Sequence, residues 1–298
     1  MMAATKVVRV RGKGVLRTDG GVDAATLERM YERGIQLLTG QTSAASGLNS
    51  IFSPRDRVGI KINTIAGRML TTPPSVALPF SRLLTRSGLL EKNIVIWDRT
   101  NRELKDAGYT LNAGSGLRIF GTDAAGAGYT IEPLIHLNIG SLFSTIQTDF
   151  VTASVSLAVL KDHGMAGITA GLKNYFGAIH NPNKYHDLNC DPFIAQLFDM
   201  PDIKNKHRLT ILDALVVQYN RGPSYHARWA EKSESLIFSL DPVAADFIGW
   251  QIIEKLRKSQ GLPSLAEDQR EPTYIRTASR MGLGKAAPND IQLMEEDV

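Results

Sequence analysis

Cysteine is almost missing from this chain: Cys190 stands alone among 298 residues. One thiol excludes an intramolecular disulfide, and it excludes any four-cysteine zinc or iron–sulfur site built within the chain itself. Long apolar runs are missing too. No stretch reaches the roughly 18 residues a membrane-crossing helix requires, so no membrane span is expected. The opening MMAATKVVRVRG lacks the apolar centre of a signal peptide, which leaves localisation open between the cytoplasm and export with a leader already removed. Neither sign of charge is concentrated. The 34 Lys and Arg outnumber the 30 Asp and Glu for a net charge of +4, yet no block of about five like charges occurs. Without a basic strip interleaved with aromatics, or a zinc-finger spacing, nucleic acid is not an expected partner. A modest positive field suits a small anionic molecule instead. No G-x-S-x-G, Walker loop or G-x-G-x-x-G stands at a strand-to-helix turn, so hydrolase, NTPase and dinucleotide readings lack their usual support.

What is present reads as an ordinary globular chain, 43% apolar and 21% charged, long enough for a sizeable core. Lys6 to Arg11 alternates apolar and basic residues and predicts a first strand at a sheet edge. Asp23 to Leu38 predicts an amphipathic helix capped by Asp23. Residues 40–50 read as a loop. Arg57–Asn63, a helix over Ser75–Ser87 entered through Pro73 and Pro74, and Asn93–Asp98 then form a parallel βαβ crossover. Leu117–Phe120, Tyr129–Leu137, Phe150–Leu160, Arg208–Ala214 and Ser235–Asp241 are further strand candidates. Asp241 and Pro242 open a strong helix to about Lys258, and Pro272–Met281 and Asp290–Met294 predict a last helix and a terminal strand. The expected fold class is α/β, a mostly parallel sheet flanked by helices, as one unit whose two lobes would meet near residue 150. In such sheets ligands collect beyond the C-terminal strand ends. Lys61, Asn63, Asp98 and Asp213 fall at such ends, although Asp98 serves equally well as the cap of a helix over Glu103–Gly108.

The densest chemistry lies in KDHGMAGITAGLKNYFGAIHNPNKYHD, from Lys161 to Asp187, which holds three of the six histidines. At helical spacing Thr169, Lys173, Gly177 and His180 share one face, and Ile168, Leu172, Tyr175, Phe176 and Ile179 supply an apolar stripe. The bland alternative is a solvated face with an irregular loop behind it. Glycine inside a helix costs about 1 kcal/mol against alanine, so close approach of a ligand or of backbone is the reason offered for Gly177.

These residues carry a family resemblance. TTPPSV at 71–76, IVIWD at 94–98, LKDHGMAGITAGLKNYFG at 160–177, ILDA at 211–214, GP at 222–223 and DPVAADFIG at 241–249 resemble the domain of unknown function 362 family over most of residues 58 to 285. The resemblance implies a domain rather than an activity. Some relatives carry ferredoxin-like cysteine clusters, so it also implies an accessory role beside an iron–sulfur partner. Any cluster would have to come from that redox partner protein.

Two chemistries suit the residues. Lysines confined near other cations lose protons more readily, because desolvation and like charge both disfavour the ammonium. Lys173 is the leading candidate, with Lys161 as a second lysine, His163 and His180 as proton carriers, and Asp162 between Lys161 and His163 in the sequence. Lys61, Asn63, Thr169, Asn174, Lys184, Asp98 and Asp213 are the expected ligand-binding set. Alternatively, His163, His180, His186 and Asp187 are donors suited to a divalent metal, although their spacing matches no ligand motif. The favoured expectation is an enzyme acting on a small anionic substrate by Lys/His acid–base chemistry, with or without metal assistance. The competing expectation is a non-catalytic ligand-binding or electron-transfer accessory protein.

Overall fold

The alternating first segment forms β1 (Thr5–Arg11) in a computed structural model that describes residues 4–298. Asp23 caps α1 (Ala24–Thr39) by accepting from the Thr26 amide, and Gly40 ends it in the left-handed region. Residues 40–50 do not stay a loop: Ser43 caps a second helix, α2 (Ala44–Ile51). Its polar composition hid a packing reason. A Cβ on Gly47 would lie 2.6 Å from Ile35 of α1, so glycine there lets the two helices touch. β2 (Val58–Lys61), α3 (Pro74–Arg86) and β3 (Ile94–Asp98) form the expected parallel crossover. α4 (Asn101–Asp106) is capped by Thr100, which leaves Asp98 free for another partner. β4 (Arg118–Gly121) follows, then a small hairpin of β5 (Leu134–His136) and β6 (Ile139–Ser141).

The second half begins with β7 (Ala153–His163), buried along its whole length, and β8 (Gly167–Thr169) turns back against it. Next come α5 (Phe193–Phe198), α6 (Pro201–Lys204), β9 (His207–Gln218) and β10 (Ala230–Ser239). α7 (Pro242–Ser259), capped by Asp241, α8 (Tyr274–Arg280) and β11 (Ile291–Asp297) complete the chain.

One nine-stranded sheet collects these strands in the order β11-β1-β10-β9-β7-β2-β3-β4, with β8 beside β7. Pairing is parallel for β1–β11, β2–β3, β2–β7, β3–β4 and β7–β9, so the sheet is mostly parallel and the fold is α/β. β1 is not an edge, because β11 covers it. Helices lie on both faces. Val8, Ile60, Ile96, Leu157 and Ile211 pack with α1, α2 and α3 in one core, and Leu160, Leu212 and Ile237 pack with α5, α7 and α8 in the other. Strands covered on both faces read as continuous apolar runs, which is why β3 was legible without alternation, whereas β7 also alternates in part.

The chain runs outward from β2 through β3 to β4, then returns to place β7 on the opposite side of β2. The order therefore reverses between β2 and β7. At such a switch point the connections leave in opposite directions and open a crevice beyond the strand ends.

Candidate functional site

A cavity of about 350 Å³ occupies that crevice. Asn63 follows β2, Asp98 ends β3, Lys161 and His163 end β7, and Lys173, Asn174 and His186 close it from the segment after β8.

That segment is not the expected helix. Glycine at 167 (φ +75°) turns the chain back, where a Cβ would meet the Arg270 carbonyl. Asp246, buried in α7, then accepts from the Gly171 and Leu172 amides at 2.7 and 3.1 Å. Only a short 3₁₀ turn, Lys173–Ala178, follows, and Ile179 is already extended. The apolar residues that mimicked a helical stripe are buried because the whole segment threads between the sheet and α5. Thr169, Lys173 and Gly177 still reach the cavity, but His180 does not. It is exposed, edge-on to Tyr129 at 5.2 Å.

At the base of the cavity lies a buried ion pair. Lys61 Nζ donates to Asp98 Oδ1 at 2.6 Å, to the Ile62 carbonyl at 2.7 Å and to Asn174 Oδ1 at 3.3 Å. Asp98 Oδ2 accepts from the Thr64 amide and hydroxyl at 2.7 and 2.6 Å. Asn174 in turn donates to the Lys61 carbonyl and to Ser156 Oγ. Burial lowers the Lys61 ammonium from its ordinary value, with Asp98 opposing. All three Lys61 protons are thus committed within the protein.

Lys161 and Lys173 are placed differently. Lys161, fully buried, donates to Asn63 Oδ1 at 3.0 Å and the Leu70 carbonyl at 3.2 Å. Burial brings it down to about 7, opposed by the charge of Asp98 and assisted by that of Lys173. Lys173 Nζ sits 4.1 Å from the Phe176 ring centroid and 3.2 Å from His186 Nε2, and burial brings it down to about 8. Neither ammonium has a carboxylate within salt-bridge distance among the described residues.

The imidazole tautomers follow from their partners. His186 Nδ1 lies 3.0 Å from the Pro182 carbonyl, which can only accept, so Nδ1 carries the proton and Nε2 accepts from Lys173. His163 Nδ1 accepts from the Met165 and Ala166 amides at 3.2 and 3.1 Å, which puts its proton on Nε2. The two rings stack at 5.7 Å. Burial, reinforced by Lys173, lowers both, His163 to about 2. Cys190 Sγ approaches Lys173 Nζ at 3.9 Å, and burial pushes its thiol up, so it is a neutral neighbour.

The remaining expected residues go elsewhere. Asp162 alternates to the far side of β7, where it accepts from Arg270 at 2.6 Å and the Gly222 amide at 2.7 Å. Asp213 is not at a strand end. It lies inside β9, accepts from the Leu215 amide alone among the described residues, and burial raises it to about 7. Lys184 is exposed against Tyr185, and Asp187 is exposed. Of the four suggested metal ligands only His163 and His186 meet at the cavity. No three His, Cys, Asp or Glu groups gather among the described residues, so the residues present do not form a cage for a metal. Arg99 and Glu103 at the cavity wall were not anticipated. Arg99 holds Glu103 Oε1 at 2.6 Å, and Glu103 Oε2 is buried without a partner among the described residues. Their i, i+4 spacing directly after IVIWD was the available signal.

These features define an α/β domain with a lysine- and histidine-lined cavity at the switch point of a mostly parallel sheet. The chain belongs to the family described as Domain of unknown function (DUF362), which matches residues 58–251. That span holds all the cavity residues but stops short of the 285 suggested by the motifs. No curated protein matches the chain. A solved structure of a Thermotoga maritima protein is similar over 81% of this chain at 12% identity, with a TM-score of 0.44. The match takes in 60% of that protein's length. No helix among the described residues is long and apolar enough to cross a membrane.

Proposed function

We propose that this chain is an enzyme whose cavity binds a small anionic substrate and moves its protons by Lys/His chemistry. The carrying observation is the pair of cavity-lining ammonium groups, Lys161 and Lys173, neither with a carboxylate partner among the described residues. A buried positive charge without a counterion is costly, and an anion that supplies the missing charge regains that cost as binding energy. Lys161, anchored by two carbonyl oxygens, holds the anion. His186 Nε2 presents a lone pair to Lys173 and can take its proton, while neutral His163 offers its Nε2–H as a hydrogen-bond donor.

Thermal and urea unfolding with sulfate, phosphate and small dicarboxylates tests the reading. At about a hundred times the dissociation constant a bound anion adds about 2.7 kcal/mol. Lys161→Met and Lys173→Met should each reduce that increment while remaining folded. Absence of stabilisation by every one of these anions would overturn the proposal.

A further inference from the structure

Lys173 is set up differently from Lys161, and the difference points to the substrate's reactive group. Lys161 donates to two carbonyl oxygens, those of the Asn63 side chain and of Leu70, which fix its nitrogen but cannot take its proton. Lys173 instead faces a base. His186 Nε2 stands 3.2 Å from its nitrogen, and the Pro182 carbonyl fixes the other imidazole nitrogen as a donor at 3.0 Å. Nucleophile, base and the group that orients the base form a relay of the kind that activates covalent catalysts. We infer that Lys173 is a nucleophile that forms an imine with a small carboxylate bearing an aldehyde or ketone, its carboxylate held by Lys161. The inference rests on the anion reading of the cavity and names the substrate class.

The chemistry closes without a co-reactant. His186 Nε2 takes a proton from the Lys173 ammonium, and the freed amine adds to the carbonyl carbon to give a carbinolamine. The hydroxyl leaves as water after receiving a proton from the imidazolium, and the nitrogen forms a C=N bond while retaining one hydrogen. One ammonium and one carbonyl thus become one iminium and one water, with charge conserved. The geometry suits both ends of that exchange. The Phe176 ring, 4.1 Å from Nζ, faces a cation before and after the reaction. Burial lowers both lysines, Lys161 to about 7 and Lys173 to about 8, so a neutral amine is accessible at either close to neutral pH, but only Lys173 has an imidazole nitrogen placed to take its proton. The thiol of Cys190 is also close, at 3.9 Å, but burial keeps it protonated and leaves the amine as the stronger nucleophile.

Reductive trapping tests this. The intact protein is incubated with glyoxylate or pyruvate and sodium cyanoborohydride at pH 7.5, and the product is read by whole-protein mass and peptide mapping. The expected result is one added molecule per chain, on Lys173, with exposed Lys184 unmodified at the same dose. His186→Gln should slow trapping by about tenfold or more, since a positioned base contributes at least that. Lys173→Arg should abolish it. The map is read on the unsubstituted protein, so a poorly folding variant leaves the test intact. Labelling confined to exposed lysines, while pyruvate still raises the melting temperature, would overturn the imine and leave the anion site standing. Neither adduct nor stabilisation would overturn both.

Discussion

Gly177 closes directly over the Lys61–Asp98 ion pair. A Cβ built at position 177 would lie 2.6 Å from Lys61 Nζ and 2.9 Å from Asp98 Oδ1. The glycine is therefore required by close approach to buried charges, not by backbone conformation. Through this contact the 3₁₀ turn that carries Lys173 and Asn174 is clamped to the ends of β2 and β3. Lys173 owes its place in the cavity to a salt bridge in which it takes no part.

Gly177→Ala is expected to destabilise the protein by about 1–3 kcal/mol, the usual cost of overpacking a filled site. Local propensity alone predicts the opposite, a gain of up to about 1 kcal/mol for a helical residue. Urea unfolding separates the two by sign. A variant as stable as its parent would mean that the pair moves aside at little cost.

Lys61→Met should cost about 3–5 kcal/mol, because it leaves the Asp98 carboxylate buried with only Thr64 as a donor residue. The double variant Lys61→Met/Asp98→Asn should cost less than the sum of the two single changes, since removing both charges removes the stranded one. Strict additivity in denaturant titrations would show that the pair is not coupled.

The parallel frame was legible because strands covered on both faces leave uninterrupted apolar runs, as in IVIWD. Asn63, Asp98, Lys161, His163, Thr169, Lys173, Asn174 and His186 all reach the cavity, and each sits in a motif or at a strand end that the sequence displayed. His180 misled because periodicity records burial, not its cause. Ile168, Leu172, Phe176 and Ile179 are buried by being threaded through a core, and that spacing imitates a helix. Asp162 and Asp246 illustrate the other gap. Their partners, Arg270 and the Gly171 and Leu172 amides, are distant along the chain, so nothing local distinguishes an anchoring carboxylate from a reacting one.

Acid should destabilise the protein through its buried imidazoles. His163 and His207 are lowered by burial to about 2 and about 3, whereas an unfolded histidine titrates near ~6.5. Below that point the unfolded chain binds protons that the folded chain refuses, so stability falls as pH falls. Each group contributes about 1.4 kcal/mol per pH unit until its folded value is reached. Denaturant midpoints at pH 6, 5 and 4 should show this slope, and His163→Gln should remove about one proton's share of it. An unchanged slope in that variant would mean that the His163 ring is protonated in the folded state.

The alkaline side tests the two cavity lysines together with the anion they are proposed to hold. Lys161 and Lys173 sit near 7 and near 8 in the folded protein, whereas an unfolded lysine titrates near ~10.4. Between these values the unfolded chain keeps protons that the folded chain has released, so the stability of the unliganded protein should rise with pH through that window. Below pH 7 both states are protonated and the contribution is flat. Sulfate is the informative probe, because its own charge does not change over this range. It binds the ammonium forms, so its stabilising increment should be largest near pH 6.5 and shrink toward pH 9.5, while the unliganded protein moves the other way. By the same linkage, bound sulfate should hold protons on the lysines and flatten the rise. Lys161→Met and Lys173→Met should each remove part of both trends. Urea unfolding at four pH values, with and without sulfate, reads all of this in one experiment. A flat unliganded curve with an undiminished sulfate increment at pH 9.5 would mean that both lysines stay charged, and the neutral amine needed at Lys173 would not be available.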